Sequence, residues 1–257
     1  LNTNKYYKYL KNIDCAINIA AESHVDNSFG NSVHFTKTNT LGAHVFLENC
    51  ISNKVKKIIH ISTDEVYGDK IKGVSHETDS MNPTNPYSAS KAAAEMITNS
   101  YKFVYKRDII ILRANNIYGT RQFPEKLIPS CTVSLIKNKK IPIYGNGKNI
   151  RHYLYVKDFC SALVIIIKKI NKGIYNIGTN ESYSNLQVAK KICSLMNKPY
   201  SNIKFTKDRV FNDRRYSISS KKITKLGWRP KTRLFKELKK ITEWYKVNKN
   251  LFNRKFG

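Results

Sequence analysis

The chain has 257 residues, 41% of them hydrophobic, enough for one sizeable core or a core with a smaller lobe. A formal net charge of +28 points first to nucleic acid. However, lysines far outnumber arginines and are scattered among Asn and Ile, so runs such as 137–140 and 236–240 read as solvated faces and no specific nucleic-acid partner is expected. The five cysteines are dispersed, with no Cys-x-x-Cys spacing, which argues against structural zinc and disulfides. Cys15, Cys160 and Cys193 fall in apolar segments and are expected in the core. The longest apolar run, 162–167, is too short for a bilayer, and no secretory signal is expected. The expectation is a cytoplasmic protein with neither metal nor membrane partner.

In chain order, the first two-thirds alternates short β-branched runs with amphipathic segments. Strands are expected at 15–20, 57–62 and 108–114, and helices at 33–52 and 87–105. This is the βαβ rhythm of an α/β fold built on a doubly wound parallel sheet. From Pro124 the pattern changes. A helix opened by Pro124 and Glu125 precedes strands at 141–144, 151–156 and 173–177. Further helices are expected at 157–169, 184–196 (with Ser184 as N-cap) and 234–247. Gly145-Asn-Gly147 reads as a hairpin turn between the first two of those strands. The division expected is 1–123 for the sheet domain and 124–257 for a smaller α/β lobe interleaved with it. Trp228 and Trp244 are expected as core aromatics. The first glycine is Gly30, so the strand, Gly-rich turn and helix that hold a dinucleotide pyrophosphate are not found, and a first βαβ unit is expected to be missing.

Chemistry concentrates in two motifs. Ser62-Thr-Asp-Glu-Val-Tyr-Gly68 follows a compact apolar strand, so Thr63, Asp64 and Glu65 fall at its carboxyl end, where open α/β sheets bind ligands. Tyr87-Ser-Ala-Ser-Lys91 opens a helix behind Pro86 and places a phenol and an ammonium on one face. Such a pair suits oxidation of an alcohol by a nicotinamide, the ammonium lowering the phenol's pKa so that the phenolate takes the hydroxyl proton.

These residues, with Ala20-Ala-Glu-Ser-His-Val-Asp26, Pro83-Thr-Asn-Pro86, Asn115-Asn-Ile-Tyr-Gly119, Gln122-Phe-Pro-Glu-Lys-Leu-Ile-Pro129, Ile150-Arg-His-Tyr-Leu-Tyr-Val156, Tyr175-Asn-Ile-Gly178, Asp213-Arg-Arg-Tyr216 and Leu226-Gly-Trp228, resemble the nucleoside-diphosphate-glucose 4,6-dehydratases. These belong to the extended short-chain dehydrogenase/reductase group, with a Rossmann-like domain, and dTDP-glucose 4,6-dehydratases match best. The resemblance runs from Asn18 to Lys246. It implies NAD as cofactor and conversion of a nucleoside-diphosphate-glucose to its 4-keto-6-deoxy derivative. Tyr87 would accept the 4-hydroxyl proton, Lys91 would orient the nicotinamide ribose, Glu65 would deprotonate C5, Asp64 would protonate the departing C6 hydroxyl, and Thr63 would bond the sugar near O4. Asp immediately before Glu favours the glucose 4,6-dehydratases over epimerases and decarboxylases of the same fold. Those remain the rival enzymes, with an inactive truncated remnant and a non-catalytic basic binding protein as further alternatives. Val25–Asn31 and Phe211–Asp213 also resemble the UDP-glucose 4,6-dehydratase portion of eukaryotic rhamnose synthases, which leaves dTDP and UDP both open.

By the same resemblance Ala20, Ala21, Thr38, Ser62 and Ile117 would contact NAD together with Tyr87 and Lys91. Ser23, His24, Asn116, Lys126, Leu127, Pro142, Tyr144, Arg151, Asn185, Arg209 and Asn212 would contact the sugar nucleotide. A homodimer through the helices after Val33 and Tyr87 is also implied.

Overall fold

A computed structural model describes residues 8–105, 107–170 and 172–252. Its main sheet is parallel throughout, in the order β1 (Cys15–Asn18), β2 (Lys57–Thr63), β3 (Asp108–Ala114) and β7 (Gly173–Ile177), with the three strands between the last two in sequence lying elsewhere. Alternation along β2 and β3 feeds two cores. Ile58 and Ile109 pack with Leu47, Cys50 and Tyr101 on one face, whereas Ile59, Ile61, Ile110 and Leu112 pack with Phe159, Ala162 and Ile166 on the other. Helices therefore cover both sides, as a sheet of nearly unbroken apolar strands requires.

The helical covering of the first face is α1 (Val25–Gly30), α2 (Ser32–Phe35), a π-helical turn (Thr36–Leu41), α3 (Gly42–Ser52) and α4 (Pro86–Val104). The wide turn is closed by Gly42 N–H on Lys37 O, and it turns Asn39 inward. Asn39 accepts from Glu22 N–H at 2.8 Å and donates to Glu22 O and Ser90 Oγ, so it fixes the segment that leaves β1. α4 begins with Asn85 as N-cap, Pro86 in its first turn and a reciprocal Asn85–Ser88 capping box.

The other elements form a second layer around a separate core cluster of Tyr118, Ile128, Leu135, Ile143, Tyr153, Val188, Leu238 and Tyr245. Here β4 (Asn116–Tyr118) pairs with β6 (Ile150–Tyr155), which also pairs with β8 (Ser182–Ser184), while β5 (Ile141–Tyr144) pairs in parallel with β9 (Ile203–Thr206). Helices α5 (Leu127–Ile136), α7 (Asn185–Leu195) and α9 (Leu234–Val247) pack together. By contrast, α6 (Val156–Lys169) and the short α8 (Lys221–Thr224) return to the main sheet. Ser184 caps α7 in a capping box with Gln187. Among the described residues, no helix is long and apolar enough to cross a membrane.

Several local expectations need correction. Gly145 and Gly147 both have positive φ, but they do not make a hairpin. The strand before them pairs with Ile203–Thr206, and the strand after them pairs with Asn116–Tyr118 and Ser182–Ser184 in a different sheet. Pro124 and Glu125 lie in a turn closed by Lys126 N–H on Phe123 O, and the helix starts at Leu127. Pro129, which has no N–H to donate, is thereby placed in the first turn where none is needed. Cys160 is exposed on α6 and Cys15 is half-buried, whereas Cys193 is buried. Trp228 is buried, its Nε1 donating to Asp158 O and Ser161 Oγ, but Trp244 is only partly covered. Lys137, Lys139 and Lys140 are exposed, as are Lys236, Lys239 and Lys240.

Gly68, which ends the turn carrying Asp64 and Glu65, has φ +75°, and a Cβ there would lie 2.2 Å from Asn82 O. Gly68→Ala should therefore destabilise the fold by about 1–3 kcal/mol from backbone strain and by more from the clash. Gly73→Ala, with φ +74° but open space around it, should show the strain alone. Denaturant midpoints of the two variants check this.

Candidate active site

The carboxyl ends of β2 and β3 open into a cleft of about 510 Å³ between the main sheet and the second layer. It is lined by Ala21, Ser23, His24, Ser62, Thr63, Glu65, Tyr87, Lys91, Asn116, Ile117, Lys126, Leu127, Pro142, Tyr144, Arg151, Asn185 and Arg209. Four expected residues do not line it. Asp64 lies buried behind Thr63 and Glu65. Asn212 lines an adjoining cavity of about 30 Å³ with Glu65, Arg151 and Arg209. Ala20 and Thr38 lie outside both. At Thr38 the π-helical turn puts Asn39, not its neighbour, on the inner side.

Asp64 and Glu65 begin a short 3₁₀ turn (Asp64–Tyr67) capped by the Thr63 hydroxyl, which accepts from Glu65 N–H at 3.2 Å. Adjacent in sequence, the two carboxyls have different surroundings. Asp64 is held by neutral donors: Asn115 Nδ2 at 2.7 Å and Thr63 Oγ at 3.2 Å. Burial and then the charge of Glu65 raise its pKa to about 7, against the weaker pull of Asn115, Thr63 and Arg151. Burial also raises the Glu65 pKa, but here two cations, Arg151 and Lys126, oppose it, together with Asn85. Glu65 Oε2 accepts from Tyr216 OH at 3.2 Å and Asn85 Nδ2 at 3.5 Å. Burial thus biases both carboxyls toward the neutral form, with two cations opposing that bias at Glu65 and mainly neutral donors opposing it at Asp64.

Tyr87 and Lys91 sit one turn apart on α4, both buried, with Tyr87 hydrogen-bonded to Thr63. Lys91 Nζ donates to Ile61 O at 2.6 Å, and burial lowers its pKa to about 8. The lowered phenol pKa expected from the sequence is not what the structure shows. Burial, Glu65 and Asp64 raise the Tyr87 pKa, opposed only by the Thr63 hydrogen bond. Ser62 Oγ is buried in the cleft wall with no hydrogen-bond partner among the described residues, a polar atom available to a bound group. On the second layer, Lys126 donates to Ser23 O, and Arg209 donates to Asp26 at 2.9 Å with its guanidinium 5.1 Å from the Tyr144 ring centre.

Sequence reasoning gave no role to Asn115, Asn85, Tyr216 and Asp213. Asn115 is shared between Asp64 and Thr179 N–H, Asn85 reaches Glu65 from the helix cap, and Tyr216 bridges Glu65 and Asp213. All four lay in the motifs quoted above, which was the available signal.

A carboxyl whose pKa rises on folding adds nothing relative to an amide below its unfolded value, and it costs stability progressively as pH climbs from that value to the folded one. Asp64→Asn should therefore match the parent protein at pH 4 and exceed it above pH 7 by roughly 4 kcal/mol, since the carboxyl rises from 3.8 to about 7. Urea unfolding across pH 4–8 checks the sign.

Comparison with known proteins follows the same lines. The family model described as GDP-mannose 4,6 dehydratase matches residues 3–241. A trifunctional UDP-glucose 4,6-dehydratase/UDP-4-keto-6-deoxy-D-glucose 3,5-epimerase/UDP-4-keto-L-rhamnose-reductase of Arabidopsis thaliana is 44% identical over 249 residues, covering 95% of this chain and 37% of that protein. The chain thus spans little more than a third of the length of that relative. The human dTDP-D-glucose 4,6-dehydratase is 41% identical over 243 residues, with 92% of this chain and 69% of the relative covered. Among solved structures, the dTDP-glucose 4,6-dehydratase DesIV of Streptomyces venezuelae, with NAD and TYD bound, superposes with a TM-score of 0.94 at 32% identity, covering 97% of this chain and 78% of that one. The doubly wound, Rossmann-like fold is likewise that of a UDP-glucose 4-epimerase from Thermotoga maritima, at TM-score 0.89 and 27% identity, covering 97% of this chain and 82% of that one. The chain belongs to the GDP-mannose 4,6 dehydratase family, among the nucleoside-diphosphate-sugar 4,6-dehydratases.

Proposed function

We propose that the protein dehydrates a pyrimidine nucleoside-diphosphate-glucose, dTDP-glucose or UDP-glucose, to the 4-keto-6-deoxy sugar nucleotide, with NAD as a regenerated cofactor. The observation that carries this reading is a pair of adjacent carboxyls, Glu65 in the cleft wall and Asp64 buried behind it, joined through Thr63 to Tyr87. An epimerase needs the phenol and ammonium but has no water to eliminate, and so no use for a second, adjacent carboxyl. The cleft suits the nicotinamide end of NAD, with Lys91, Tyr87 and the unpartnered Ser62 hydroxyl on one wall. When bound, NAD supplies the acceptor for the C4 hydride and the donor that returns it to C6.

Each side chain then has a distinct task. Tyr87 takes the 4-hydroxyl proton, Thr63 bonds O4, and Lys91, one turn along the same helix, would hold the nicotinamide ribose. Glu65 breaks the C5–H bond, which the 4-ketone acidifies. Asp64, behind the cleft wall, passes its proton through the Thr63 hydroxyl to the C6 oxygen, so the C6–O bond breaks, water leaves and a C5–C6 double bond forms. The proton that Tyr87 took returns to Asp64 through the same hydroxyl. Glu65 returns a proton to C5 as C6 is reduced. The net change is redox-neutral: C4 is oxidised, C6 is reduced, and one water is lost. The second layer, from residue 124 onward, acts as the sugar-nucleotide lobe. Arg151, Arg209 and Lys126 face the diphosphate, with Pro142, Tyr144 and Asn185 toward the nucleoside.

The helical covering of the first face of the sheet exposes Val33, Leu41, Met96, Phe103 and Val104, and it serves as a homodimer surface. Phe103→Lys should shift the sedimentation mass toward the monomer.

Incubation with NAD and either sugar nucleotide should give the alkali-absorbing 4-keto-6-deoxy product, and the ratio of kcat/KM values assigns the base. Glu65→Gln should reduce NAD, with absorbance at 340 nm persisting, while product formation falls by about 10²–10⁴-fold. Tyr87→Phe should lose the 340 nm signal itself. An epimerised hexose as sole product would overturn the assignment.

A further inference from the structure

Behind the acid/base turn lies a buried polar network that none of the proposed chemistry uses. Arg113 on β3 and Glu95 on α4 are 3% and 2% exposed. The guanidinium forks onto the carboxylate, with Nε at 2.9 and 3.1 Å from its two oxygens and Nη2 on the first. Its remaining nitrogen, Nη1, donates to Tyr67 OH at 2.6 Å and more weakly to Glu77 O, and the group lies 4.6 Å from the centre of the Tyr67 ring. Tyr67 OH donates in turn to Asn176 Oδ1 at 2.9 Å. Asn176 continues the chain through its side chain to Ser75 O and its backbone N–H to Glu77. Ser75 exchanges backbone hydrogen bonds with Ser217 and Ser219, on either side of a stretch that begins next to Tyr216, the partner of Glu65.

The ends of this network are what give it meaning. Glu95 lies one turn along α4 from Lys91 and two turns from Tyr87. Tyr67 closes the turn that Asp64 and Glu65 open. That turn is also held through its carboxyls, by Asn115 on Asp64 and by Asn85 and Tyr216 on Glu65, and through its backbone by Asn82 N–H on Val66 O and Gly68 N–H on Glu65 O. A buried ion pair is a weak source of net stability, since desolvation offsets most of its attraction, and it specifies geometry better than it stabilises. We infer that Arg113, acting through Glu95 and Tyr67, is a positioning residue that sets the elimination pair in register with the oxidation pair. The inference rests on the dehydration reading for the roles of the two pairs, but the mechanical link does not depend on it. In such a site a misplacement of about 1 Å can cost on the order of a hundredfold in rate.

Tyr67→Phe tests the link, because it keeps the ring under the guanidinium and removes only the hydroxyl. The readout is the carboxyl ¹³C titration of Asp64, assigned by its loss in Asp64→Asn. It should fall from about 7 by about one pH unit or more in Tyr67→Phe, as the released turn admits water, and in the same direction in Arg113→Lys. Ile166→Val, a conservative change in the core on the far side of the sheet, should leave it unmoved even where the melting temperature drops. With NAD and sugar nucleotide, Tyr67→Phe should still reduce the cofactor within about threefold of the parent rate while dehydration slows by about tenfold or more. An unchanged Asp64 titration in Tyr67→Phe would overturn the inference and leave the network a purely structural one. Absence of any 4-keto product from the parent protein would instead overturn the dehydration reading, and the titration would still decide whether Arg113 holds the turn.

Discussion

Two carboxyls buried side by side at the end of a central strand are the constraint around which the rest of the site is arranged. Neither can be charged there without compensation, and both cannot be charged together at low cost. The surroundings treat them unequally: Asn115 and Thr63 give Asp64 neutral donors, whereas Arg151 and Lys126 bring positive charge to Glu65. Those cations come from the second layer and the carboxyls from the main sheet. The contrast between the two carboxyls therefore depends on the assembled layers, since the positive charge that opposes the raised Glu65 pKa arrives only with the second.

The same dependence explains what was legible in the residues. Local signals were reliable because their physics is local. Pro86 behind Asn85, Ser184 ahead of Gln187, and the β-branched run at 57–63 determine their own helix starts and strand without help from distant chain. The positions of Tyr87, Lys91, Asp64 and Glu65 followed from those starts. Partners separated by long stretches were not legible. Nothing near Gly145 tells that Ile141–Tyr144 will pair with Ile203–Thr206 and not with the strand that follows. Nothing near Tyr87 tells that carboxylates will sit close enough to raise its pKa against the expected effect of Lys91. Asn39, one residue from the expected Thr38, faces inward only because a π-helical turn shifts the register of that helix.

The high positive charge finds a similarly plain account. The lysines of the runs at 137–140 and 236–240 are exposed on the second layer. A few basic residues do have specific places: Lys91, Lys126, Arg113 and Arg151 all point inward, toward carboxylates, carbonyls or the cleft. Location separates these two classes of basic residue, and composition does not.

The parallel pairing of β5 with β9 also bears on the order in which the molecule is made. The segment bearing both carboxyls, the phenol and the ammonium, together with its supporting strand, is complete once the ribosome has passed Ala114. Pro142 and Tyr144, by contrast, have no neighbouring strand until Thr206 has emerged, about sixty residues later. The reactive groups are thus synthesised first and the wall facing them is finished last. Translation at roughly 5–20 residues per second makes that interval last seconds, so a nascent chain carries the segment with both carboxyls uncovered on that side until the second strand of the pair arrives.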